Sequence, residues 1–151
     1  MSKDCTCDTC KGACTNKPGW FKPGEVEKVA LHLNISLQEL FETKLGVDWW
    51  VAEDDIFVLA PATLSMDPGS EYPANPRGHC IFYENGLCSI HPVKPFECRE
   101  YIHDEDKNAS NKRHLAVSIA WESEQTQVTE LLGRQATAAE ADVFSALSWL
   151  Y

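Results

Sequence analysis

The sequence predicts a small α+β domain, mostly helical with one small β-hairpin, stapled by a cysteine-ligated metal centre. Three observations predict it. Apolar residues recur at three- and four-residue steps in several segments, Asn85-Gly86 separates two β-prone stretches, and most of the seven cysteines fall into two groups far apart in the chain. A length of 151 residues fits a single domain, 1–151. The hydrophobic fraction of 44% with five tryptophans is that of a folded globule rather than a disordered chain, even at a net charge of -10.

Residues 1–17 are polar and cysteine-rich, with almost nothing to bury, so an added cross-link is needed to order them. Pro18-Gly19 reads as a turn before the aromatic anchor Trp20-Phe21. From Glu25, the apolar positions Val26, Val29, Ala30 and Leu33 trace one helical face. Ser36 with Glu39 forms a capping box for a second helix, carried by Leu37, Leu40, Phe41 and Leu45 to a stop at Gly46. Val47 to Ala60, β-branched and aromatic but split by Glu53-Asp54-Asp55, predicts one strand. Pro61 to Gly78 contains Pro61, Pro68, Pro73 and Pro76 and predicts a loop.

Residues 78–101 are expected to hold the hairpin, with Cys80 and Cys88 on neighbouring strands, and then a short helix begun by Pro95 and running through Cys98 to Tyr101. A polar loop is expected over His103 to Lys112. The C-terminal helices, 113–151, follow: Leu115, Val117, Ala120, Trp121, Gln125, Val128, Leu131 and Leu132 mark the first, ending at Gly133. A second capping box, Thr137 with Glu140, opens the last, whose face is Ala141, Phe144, Leu147 and Leu150.

An excess of 23 acidic over 13 basic residues repels a phosphate backbone, so nucleic acid is not an expected partner. No run approaches the roughly 18 apolar residues of a membrane span, and the start Met1-Ser2-Lys3-Asp4-Cys5 carries no signal-peptide pattern. The expectation is a cytoplasmic protein with no membrane partner. Reducing conditions there disfavour a disulfide scaffold, and an odd cysteine count argues the same way, which leaves metal ligation, thiol redox chemistry or buried apolar cysteines.

Cys7, Cys10 and Cys14 form a CxxC followed by a CxxxC. Two thiolates three residues apart can bite one ion from a tight turn, and Gly12 lets the backbone bend around it. In the second group, a hairpin followed by the first turn of a helix can bring the sulfurs of Cys80, Cys88 and Cys98 to one point. The six are the candidate metal ligands. Cys5 and His91 are further candidates whose ligation the spacing does not decide, and Arg99 is a candidate to offset thiolate charge.

Together these segments resemble the YkgJ-type cysteine-cluster family, described as a zinc- or iron-chelating domain. The family shows an N-terminal CxxCxxCC and a later run CxF, CxI, RPxxCRxY/F. The first motif is matched at Cys7, Cys10 and Cys14, with Ala13 at the first position of the CC pair. The later run is matched at Cys80-Ile81-Phe82, Cys88-Ser89-Ile90 and Pro95-Phe96-Glu97-Cys98-Arg99-Glu100-Tyr101, with Lys94 in place of the arginine. The resemblance implies metal binding, and members are often labelled iron–sulfur oxidoreductases; it fixes neither metal nor activity.

Six cysteines exceed the four of a closed zinc site and suit a cluster with spare thiols or a shared two-metal site equally, so zinc and iron–sulfur both stay open. The spacing matches neither the ferredoxin run nor that of radical-SAM enzymes. Three functions follow: a metal-centre protein of otherwise open role, a thiol or iron–sulfur oxidoreductase using the cluster or Cys7 and Cys10, and a protein-interaction module with structural zinc. No nucleotide-binding glycine loop, HExxH or GxSxG supplies a substrate, and whether the chain is an enzyme stays open.

Overall fold

The computed structural model describes residues 19–50, 55–73, 78–84, 87–100 and 107–138. Helix α1, Glu25–Leu33, buries Val26, Val29 and Ala30, as its periodicity requires, and closes at Asn34 in the left-handed conformation. Helix α2, Leu37–Lys44, begins with Ser36 Oγ accepting the Glu39 N–H at 3.1 Å, so the expected serine cap is formed.

Gly46 does not stop this helix. The chain turns extended at Leu45 and runs on as β1, Leu45–Trp50, with Gly46 inside the strand. The glycine is needed for close approach: a Cβ there would lie 2.6 Å from both the Tyr72 ring and the Met66 methyl.

The single strand expected over Val47 to Ala60 is instead an antiparallel hairpin. Strand β2, Ile56–Pro61, pairs with β1 from Leu45↔Pro61 to Trp50↔Ile56, and the acidic group occupies the connection. Asp55 there is exposed, while Glu53 and Asp54 lie outside the described residues.

The proline-rich stretch is not all loop. Pro61 ends β2, an edge strand where a missing N–H is tolerated, and β3, Ser70–Glu71, pairs in parallel with β1 to give the order β2-β1-β3. Tyr72 follows it into the core, 1% exposed, and its hydroxyl donates to the Pro61 carbonyl.

Strands β4, Tyr83–Glu84, and β5, Leu87–Cys88, form the expected hairpin in the register Tyr83↔Cys88 and Glu84↔Leu87; its turn, Asn85-Gly86, lies outside the described residues. Cys80 is not on the strand opposite Cys88: it bridges to Thr63, so the hairpin joins the end of the larger sheet through that residue. A 3-10 turn over His91–Val93 leads to helix α3, Phe96–Glu100, with Pro95 one position before it. Tyr101 and His103 lie outside the described residues.

Helix α4, Lys107–Trp121, starts well before the expected boundary, because its first turns carry no apolar face for periodicity to detect. After a 3-10 turn at Glu122–Glu124, α5, Gln125–Leu132, ends at Gly133 with φ 74° and its N–H donating to Thr129. One predicted helix is therefore two. The predicted last helix, 140–151, lies outside the described residues.

Helices α4 and α5 cover β2, and the fully buried Trp121 donates its indole N–H to the Phe21 carbonyl at 2.7 Å. The architecture is α+β as the sequence predicts, with a larger sheet. Among the described residues no helix is long and apolar enough to cross a membrane.

Candidate metal centre

The residues that follow the cysteine-rich arm are held in the core from several sides. Trp20 and Phe21 are 4% and 0% exposed; the Phe21 N–H donates to Leu59 at 2.9 Å and the Trp20 indole N–H donates to Asp48 Oδ2, on β1, at 2.8 Å. On the other side they meet α3. The Trp20 N–H donates to Glu97 Oε1 at 2.8 Å and its carbonyl accepts the Glu97 N–H at 3.3 Å. Glu25 Oε1 accepts from both the Lys22 N–H at 2.7 Å and the Phe96 N–H at 3.0 Å, capping α3 from a distant part of the sequence. The Lys22 ammonium completes the seam 3.8 Å above the Phe96 ring.

Glu97 is 2% exposed, and a carboxylate so buried needs partners. Its second oxygen is paired with His114 Nδ1 and lies 4.0 Å from Arg113 Nε, both on α4. The His114 ring in turn packs 4.9 Å from that of Trp20 and 6.3 Å from that of Trp50.

This seam brings Gly19 against Cys98. A Cβ on Gly19 would lie 2.6 Å from Glu97 Cβ, 3.1 Å from the Cys98 nitrogen and 3.2 Å from its sulfur. Cys98 Sγ therefore sits where the N-terminal arm joins the domain. Cys14 is five residues before Gly19, a distance the chain can span at up to about 17 Å.

Cys80 is 5% exposed between Ala62 and the hairpin: the Ile81 N–H donates to Ala62 at 2.9 Å and the Tyr83 N–H donates to Cys80 itself at 3.0 Å. The Tyr72 hydroxyl is held well above its ordinary pKa, first by burial and then by negative charge at Asp48. Burial pushes the Cys88 thiol up, opposed by a hydrogen bond from the Ile90 N–H and by the Lys94 ammonium. A thiol in such a place is neutral alone and becomes a thiolate when a metal cation compensates its charge.

None of Cys80, Cys88 and Cys98 is in a disulfide among the described residues. Nor, among these residues, is any group of three or more His, Cys, Asp or Glu side chains placed to hold a metal ion. The convergence of Cys80, Cys88 and Cys98 on one point expected from sequence is not seen among the described residues. Cys7, Cys10 and Cys14, with Cys5, lie outside the described residues. The donor set fits a thiophilic metal in its chemistry: soft sulfur ligands with a backbone N–H and a cation beside Cys88.

His79, His91 and His114 have other partners, and His103 lies outside the described residues. His91 is exposed with its Nε2 3.4 Å from the Lys94 ammonium, and His79 Nε2 meets the Tyr83 carbonyl at 3.0 Å. Lys94, Glu97 and His114 were not distinguished by sequence as site residues. Lys94 and Glu97 carried one signal, their position in the Lys94-Pro95-Phe96-Glu97-Cys98 run; His114 carried none. Comparisons with protein-family models, curated proteins and solved structures give no match.

Proposed function

We propose that this is a metal-binding protein in which Cys7, Cys10 and Cys14 of the arm act with Cys80, Cys88 and Cys98 to hold a zinc or iron–sulfur centre. The observation that carries this reading is the placement of Gly19 against Cys98, where a Cβ would lie 3.2 Å from the sulfur, which leaves Cys14 within chain reach of Cys98. The spacing of the six cysteines and their resemblance to the cysteine-cluster family support it as well. When bound, the metal supplies a cross-link between residues 1–17, which have little to bury, and the hairpin and α3; the protein's own part is to present Cys80, Cys88 and Cys98 as free thiols, the first buried and the other two half-buried. The proposed setting is the cytoplasm, where the thiols stay reduced and free to act as ligands.

The test is elemental analysis and an absorption spectrum of anaerobically purified protein. Brown protein with iron and sulfide identifies a cluster, and colourless protein with zinc identifies a zinc site. Cys7→Ser with Cys10→Ser is expected to strip the metal and lower the melting temperature toward that of chelator-treated wild type. Protein that carries neither metal, and whose melting is indifferent to chelator, overturns the reading.

A further inference from the structure

Among the described residues, the large apolar side chains left in water are Leu31, Leu64, Leu115 and Ile119. Leu115 and Ile119 stand four residues apart on α4, 45% and 57% exposed, and so share one face of that helix. Val117 and Trp121, both fully buried, take the opposite face into the core. Lys112 and Glu122, both exposed, extend the outer strip at its two ends. Glu122 opens the 3-10 turn, and Trp121 before it keeps right-handed helical angles, so the strip runs on past the end of α4. Positions 112, 115, 119 and 122 are spaced by three, four and three residues, the a and d spacing with which one helix meets another.

The order along this strip is basic, apolar, apolar, acidic, and it complements itself only when reversed. Turned end for end about the level of Val117, position 112 meets 122 and position 115 meets 119. Lys112 then faces Glu122 at each end of a Leu115–Ile119 centre. A parallel pair instead sets lysine on lysine and glutamate on glutamate, which repel.

We propose that this strip is a homotypic docking surface, covered by α4 of a second copy of this chain lying antiparallel about a two-fold axis. The contact is one helix pair, well short of the roughly 1,600 Å² of a stable interface. The net charge of -10 also repels a second copy. The dimer is therefore weak and reversible, and it forms best at physiological salt, where charges more than about 8 Å apart are screened. Nothing in it depends on the metal-centre reading.

The test is sedimentation equilibrium of the full chain at physiological salt, with reductant present so that no intermolecular disulfide contributes. The mass is expected to rise from that of one chain toward that of two as concentration increases to about 1 mM, the weak end of the affinity scale. Ile119→Glu, which sets a carboxylate in the apolar centre, is expected to weaken association tenfold or more. Lys112→Glu and Glu122→Lys are each expected to weaken it about tenfold, since the two-fold axis repeats every lost pair. The double variant carrying both reversals restores complementary ends and is expected to associate as wild type does. All these positions are exposed, and unchanged melting temperatures show that folding is not the cause. Wild type that keeps the mass of one chain throughout overturns the proposal, as does a dimer indifferent to Ile119→Glu or one that the double reversal fails to restore.

Discussion

Tyr72 and Gly46 meet across the sheet with no room for a side chain between them, and each shows how one residue depends on a partner distant in sequence. Gly46→Ala places a methyl group 2.6 Å from the Tyr72 ring, an overpacking expected to cost about 1–3 kcal/mol in denaturant unfolding. Tyr72→Phe leaves the buried Pro61 carbonyl without its hydroxyl donor, and a loss of about 1–2 kcal/mol is expected by the same measurement. At this scale the cysteines stand out in the sequence by their spacing, and Cys7, Cys10 and Cys14 lie outside the described residues. Glu97 does not stand out. A lone glutamate reads as surface, and its burial is decided by Trp20, 77 positions away, and His114, 17 positions away.

Strand β2 is an edge of the sheet; the Phe21 N–H covers it at Leu59 and one side chain covers it at Phe57. Gln125 accepts the Phe57 N–H at 2.9 Å and donates to the Phe57 carbonyl at 2.8 Å, as a further strand would. Gln125→Ala uncovers both groups; a stability loss of about 1–2 kcal/mol is expected, with faster growth of light scattering on mild heating, and equal scattering from both proteins would remove this role. Among the elements, α1 and α2 were readable because their apolar steps and caps are local. The β1–β2 reversal was not, since a run buried along most of its length has the same composition whether it is one strand or two. Strand β3 is two residues long and exists only by pairing with β1. No local pattern announces such a strand.

Across the whole molecule, the ion pair of Glu71 with Arg134 ties β3 to the chain after α5, and Glu71 also accepts the Thr137 N–H at 3.0 Å. The Arg134 guanidinium, chiefly through its hydrogen bond, holds the Glu71 carboxyl below its ordinary value of 4.5. A carboxyl with a depressed folded pKa contributes stability that is complete above the unfolded value and is lost as pH falls through the folded one. The stability difference between wild type and Arg134→Gln is therefore expected to be small but constant at neutral pH and to vanish in acid well below 4.5, measured by unfolding across that range; a difference that persists there excludes the ion pair as its source. The α+β class was legible at this scale from periodicity and the Asn-Gly turn. How the chain after the arm docks on α3 was not, because it is set by backbone groups whose partners no residue type specifies.

Helix α3 spans five residues, too few to nucleate alone, and its first N–H is satisfied by Glu25, 71 positions earlier. Its formation therefore belongs to tertiary assembly: the Phe96 N–H has its acceptor on α1. The thiol of Cys98 thus takes its place only when two segments 71 positions apart have met.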